Sequence, residues 1–116
     1  MRYDGTMLIT ERFDECRAFY SLLLDAEPTP GVGWARFGLA DGTWIALHTP
    51  WQPGMTTTGG SQVLLLEVSS LEREMGRLSE SGVACSEPHE IPGGAVVTIT
   101  DPDGRTIQLI AYSTQG

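Results

Sequence analysis

Lysine and asparagine are absent from this 116-residue chain, and all seven of its basic residues are arginine. Both missing amino acids have A-rich codons, so the gene is expected to come from a high-GC genome, an actinomycete being the source to expect. Long apolar runs are missing too. No stretch reaches the roughly 20 apolar residues that a membrane-spanning helix needs, so no membrane partner is expected. The opening "MRYDGTMLIT" lacks the charged start, apolar centre and small-residue cleavage site of a secretory leader, and a cytoplasmic location is the expectation. Cysteine is scarce. Cys16 and Cys85 form no metal-spaced pair, so reduced, packed thiols are expected rather than a disulfide. Positive charge is outweighed, with 7 basic against 15 acidic residues, a net charge of −8 and a pI near 4.5. Such a surface repels phosphate backbones, which excludes nucleic acid as the expected partner, and it attracts cationic small molecules. Equally absent are a serine nucleophile elbow, a phosphate-cradling loop with its lysine, and a His-Glu-x-x-His run.

What is present is a pattern written twice. The first half reads "GTMLIT", "RFDECRAFYSLLLD", "WARFGLADGTWIALHTP"; the second reads "VLLLEV", "SLEREMGRLSESGV", "AVVTITDPDGRTIQLIAY". Each is a strand, an amphipathic helix and a hairpin closed by an Asp-Gly turn, at Asp41-Gly42 and Asp103-Gly104. The pattern predicts one α+β domain over residues 1–116, built from two βαβββ modules at about 1–49 and 62–113, joined by a Pro/Gly/Thr-rich connector at 50–61. Phe13, Cys16, Tyr20 and Leu23 recur at helical spacing, as do Leu71, Met75 and Leu78, so each helix carries one apolar stripe. Ser69 with Glu72 reads as a capping box, and Gly82 as a left-handed helix stop. At most a short strand is expected near Glu27–Thr29, and His89 is expected in an exposed loop.

Side chains alternate between the two faces of a strand. One face is aliphatic, with Ile45 and Leu47, then Leu64, Leu66 and Val68, then Ile107, Leu109 and Ala111, and should pack on the helices. The other is mixed: Gly5, Met7 and Ile9; Trp44, Ala46 and His48; Val63, Leu65 and Glu67; Gln108, Ile110 and Tyr112. Aromatic and sulfur side chains beside isolated polar groups describe either the lining of a ligand pocket or a dimer interface made of the same residues.

The order "RAFYSLLLD", "SLEREMGRLSESGV", "DPDGRTIQLI", twice through the same strand–helix–hairpin plan, resembles the vicinal oxygen chelate superfamily, which includes glyoxalase I, extradiol dioxygenases and bleomycin-resistance proteins. The resemblance implies a glyoxalase/bleomycin-resistance-like fold, a homodimer, and clefts formed between modules. It also implies two metal ligands per module, on the first and last strands. Those positions fall here on Gly5, Ala46, Val63 and Gln108. Three of the four carry no lone pair, and one amide oxygen does not hold a divalent ion, for which three or four N, S or carboxylate ligands are usual. The resemblance therefore points to the metal-free, bleomycin-resistance-like branch, with no cofactor.

The expected function is metal-independent binding of a small molecule, an antibiotic or other aromatic natural product, in self-resistance. Met7, Trp34, Phe37, Trp44, Trp51 and Tyr112, with Leu65 and Ile110, would supply flat and aliphatic walls. His48, Glu67 and Gln108 would orient the ligand, and Trp51 in the connector would serve as a lid. At least one of Trp34 and Trp44 is expected to lie partly in the core. The alternative is a divergent lyase, isomerase or dioxygenase using Glu67 or His48, with or without a metal rebuilt on His48, Glu67 and Gln108. Glu67 is either a desolvated base or the partner of Arg36 or Arg12. Asp101 and Asp103 read as turn residues and not as an acid/base pair.

Overall fold

A computed structural model describes residues 1–55 and 62–113. The chain divides into two compact units, Met1–Thr58 and Gly59–Gly116. In the first, β1 (Gly5–Ile9) leads into α1 (Phe13–Leu24), followed by β2 (Thr29–Gly31), β3 (Trp34–Gly38) and β4 (Trp44–His48). In the second, β5 (Leu64–Glu67) leads into α2 (Leu71–Glu80), followed by β6 (His89–Ile91), β7 (Gly94–Thr100) and β8 (Thr106–Tyr112). Each unit has one four-stranded sheet, ordered β1-β4-β3-β2 and β5-β8-β7-β6. The first strand of each runs parallel to the last, and the remaining pairs are antiparallel. This is the two-module α+β architecture, βαβββ twice.

The helices cover one face of each sheet. In the first unit Leu8, Ala35, Phe37, Ile45 and Leu47 are buried together with Cys16, Tyr20 and Leu23 of α1. In the second, Val97, Ile99, Ile107 and Leu109 are buried with Leu78 of α2. Both helices stop in left-handed backbone. Gly82 (φ 85°) ends α2, with Val83 N–H donating to the Leu78 carbonyl and Gly82 N–H to that of Ser79, the paired bonds of a Schellman stop. Asp25 (φ 50°) does the same for α1, and the Ala26 N–H donates to the Ser21 carbonyl.

The structure corrects three local expectations. The short strand lies at Thr29–Gly31, two residues later than predicted. Pro30 is accommodated because β2 is an edge strand, where a missing N–H need not break a ladder. The cap of α2 is Ser70, whose Oγ accepts from Arg73 N–H at 3.2 Å, and not Ser69. His89, exposed as expected, sits on edge strand β6 opposite Val96 rather than in a loop, because Pro92-Gly93 turns the chain back on itself after Ile91. The connector expected at 50–61 lies beyond the described residues from 56 to 61.

Candidate functional site

The sheet of the first unit presents its second face away from α1, and ladder register assigns each residue on it. Gly5, Trp44 and Gly38 stand in one row; Met7, Ala46 and Arg36 in the next; Ile9, His48 and Trp34 in the third. Ala46, only 5% exposed, is the floor at the centre. Met7, Trp34, Arg36, Trp44 and His48 rise around it and border an open hollow of about 360 Å³. That volume lies within the roughly 300–1,000 Å³ typical of small-molecule sites.

Two glycines make this arrangement possible. A Cβ built on Gly5 would fall inside the Trp44 indole, and one on Gly31 inside the indole of Trp34. The tryptophans thus lie over bare backbone, and their rings form walls rather than core. Trp44 is held further by its edge, where Nε1–H donates to Asp4 Oδ2 at 2.9 Å. The Arg36 guanidinium lies over the Trp44 ring, 4.6 Å from its centroid, a cation–π contact worth about 0.5–1 kcal/mol at an exposed site. At the other end, His48 Nδ1 donates to the Thr49 carbonyl at 2.6 Å, since a carbonyl can only accept. The Trp51 ring meets His48 edge-on, with centroids 4.8 Å apart.

Of the residues expected to line a pocket, Met7, Trp34, Trp44 and His48 are brought together here, with Trp51 against His48. Phe37 is not: it pairs in register with Ile45 on the helix-covered face and is 0% exposed, so its place is in the core. Neither tryptophan of the hollow is core; both are half-buried. Arg36 was passed over as a lining residue. Its signal was present, for Trp34 and Arg36 alternate with Ala35 and Phe37 in "WARF".

In the second unit, Leu65 and Glu67 stand beside Gln108 and Ile110 on the face away from α2, with Tyr112 next along β8. Leu65 and Tyr112 are exposed by 61% and 55%, an apolar presentation unusual for a solvent face. Gln108 is half-buried, and its Nε2 donates to Thr98 Oγ1 directly across the β7–β8 ladder at 3.4 Å. Glu67 is exposed, so burial does not single it out as a base.

A divalent metal does not fit the positions where the resemblance would set its ligands. Gly5 is covered by an indole, Ala46 is a methyl group at the floor of the hollow, Val63 is exposed just ahead of β5, and Gln108 is the one residue with a donor atom. Among the described residues no three His, Cys, Asp or Glu side chains converge as a ligand set either. The acidic pair after β7 is engaged within its own turn instead, Asp103 with the Arg105 side chain. Asp101 Oδ1 accepts from the N–H groups of Asp103 and Arg105, and Oδ2 from Arg105 Nη1, each at 2.9 Å.

No curated protein matches this chain. Among solved structures, a glyoxalase/bleomycin resistance protein from Catenulispora acidiphila is 26% identical, with 97% of this chain and 100% of that one aligned at a TM-score of 0.77. TnmS3, an antibiotic binding protein from Streptomyces sp. CB03234, is also 26% identical over 97% of each chain, with a TM-score of 0.74. A protein from Agrobacterium tumefaciens is 25% identical over 97% of this chain and 98% of its own, with a TM-score of 0.80. The model of one family spans residues 2–109, nearly the whole repeated pattern. The chain therefore belongs to the glyoxalase/bleomycin resistance protein/dioxygenase superfamily.

Proposed function

We propose that this protein binds and sequesters a flat small molecule, an antibiotic or other aromatic natural product, without using a metal. One observation carries the reading: at Gly5 and Ala46, where the superfamily resemblance would set metal ligands, the first unit instead has an indole wall and a methyl floor. Aromatic walls offer large contact area at small entropic cost, and offset stacking adds about 0.5–1.5 kcal/mol per ring pair beyond burial. The likeness to an antibiotic binding protein at 26% identity supports the same class of ligand. Self-resistance is the role this reading gives the protein, acting in the cytoplasm as a homodimer. The second unit has an apolar face of its own, with Leu65, Ile110 and Tyr112 beside the polar Glu67 and Gln108.

Trp34, Trp44 and Trp51 are the chain's three tryptophans, and all lie in or beside the hollow, so intrinsic fluorescence reports on occupancy directly. Titration with a panel of aromatic polyketide and peptide antibiotics is expected to quench it saturably at micromolar concentrations for at least one member. Trp44→Ala is expected to weaken that binding about tenfold or more, the scale of losing one stacking partner with its buried area. Unchanged emission across the panel would remove the reading's main support.

A further inference from the structure

We infer that the hollow of the first unit selects an anion: a planar aromatic acid whose carboxylate is held by the Arg36 guanidinium. The inference rests on the reading of that hollow as a ligand site and goes on to name what the site prefers. Arg36 is the one arginine, lysine, aspartate or glutamate among the lining residues. Its contact with Trp44 sets the guanidinium carbon over the indole ring, a cation–π contact that uses up no oxygen or nitrogen acceptor. Among the described residues no carboxylate pairs with it and no acceptor receives a hydrogen bond from it. The carboxylate at the edge of Trp44 is already engaged: Asp4 accepts from Arg2 in a 2.7 Å ion pair and from the Trp44 indole N–H. The site therefore holds a positioned cation with open donors, surrounded by Met7, Ala46 and two indoles.

Guanidinium and carboxylate match as parallel two-point donors and acceptors, and such charge-assisted bonds are about twice as strong as neutral ones. Arg36 is itself exposed, so the pairing draws on this two-point geometry rather than on burial. A cationic ligand would instead meet a like charge at the wall it must stack on. The chain's net charge of −8 argues for cations at long range, but that field is screened beyond about 8 Å at physiological ionic strength, whereas a group in contact is not. Contact chemistry decides the preference, and it reverses the one that bulk charge implies.

Three probes of the same shape separate the possibilities: naphthalene-2-carboxylate, its neutral carboxamide, and naphthalen-2-ylmethylammonium. Binding to the full-length protein is followed by calorimetry and by the three indole N–H signals in a nitrogen–proton NMR spectrum. The carboxylate is expected to bind about tenfold tighter than the amide, the order of a hydrogen bond to a charged group, and the ammonium weakest. In Arg36→Gln the carboxylate should fall to the affinity of the amide while the amide keeps its own, and the dispersion of the same spectrum confirms that this variant is folded. Equal affinities for the three probes, a preference for the ammonium, or an acid preference that survives Arg36→Gln would each overturn the inference and leave the hollow as a binding site. If no probe moves an indole signal, the binding reading falls and the inference falls with it.

Discussion

Gly5 and Trp44 act as one unit. The indole occupies the volume where any other side chain at position 5 would begin, so the residue that forms a wall of the hollow also excludes a metal ligand from the strand beside it. Gly5→Ala must either push Trp44 off β1 or distort the strand, and overpacking of this kind costs about 1–3 kcal/mol. In a Trp44→Ala background the same change should stabilise slightly, because a strand otherwise favours alanine over glycine by about 0.5–1 kcal/mol. Urea unfolding of the four proteins gives the coupling energy directly; a coupling below about 0.5 kcal/mol would mean that the indole is not held over the glycine. The two faces of this sheet were legible in the sequence from alternation alone. The tilt of the rings was not, because it depends on which neighbour across the ladder lacks a Cβ. Phe37 was misplaced for a simpler reason. Counting by twos from Trp34 reaches Arg36 and leaves Phe37 with Ala35 on the buried side, so adjacency to aromatic residues is a poor substitute for the count.

At the scale of elements, both hairpin turns are organised by an aspartate, and they differ in depth. Asp101 is buried beneath the β7–β8 turn with two backbone N–H donors and Arg105 upon it. Asp41, in the β3–β4 turn, is exposed and accepts from both the Thr43 hydroxyl (2.6 Å) and the Thr43 N–H (3.0 Å). Those bonds, the hydroxyl first and the backbone N–H second, hold the Asp41 carboxyl below its ordinary value. A carboxylate with a lowered folded-state pKa stabilises the fold above its unfolded pKa, and that contribution is lost as pH falls through the folded value. Carboxyl carbon shifts followed by NMR between pH 6 and 2 should therefore place the Asp41 midpoint below that of an unstructured peptide. Thr43→Val, which removes the larger cause, should move it up toward the peptide value; an unmoved midpoint would assign the shift to the backbone. The hairpins, both helices and the duplication were readable because Asp-Gly turns and 3.6-residue stripes are local signals. The edge strands were read less well, β2 two residues early and β6 as a loop, since three residues pairing on one side carry little pattern and Pro30 argues against a strand until its edge position is known.

At the scale of the whole molecule, a fold of the glyoxalase/bleomycin resistance protein/dioxygenase superfamily carries, in its first unit, a hollow lined by two indoles and one guanidinium. The superfamily could be read from the order of motifs in the sequence. The charge lining the hollow could not, because it depends on the cross-strand register that sets Arg36 beside Ala46 and brings its guanidinium over the Trp44 ring. The same reading has a thermodynamic consequence for the intact chain. An ion that binds only the folded state at 100 times its Kd adds about 2.7 kcal/mol, several degrees of Tm for a protein of about a hundred residues. A small-molecule ligand at the same ratio adds as much. With Gly5, Ala46 and Val63 unable to donate a lone pair, Zn²⁺, Ni²⁺ or Mn²⁺ at 100 μM should change Tm by less than about 1 °C, and prior dialysis against a chelator should make no difference. An aromatic ligand found in the titrations should raise Tm in step with the logarithm of its concentration. A rise of several degrees with one of these ions, abolished by Gln108→Ala, would place a metal at Gln108 and end the metal-free account of this member of the superfamily.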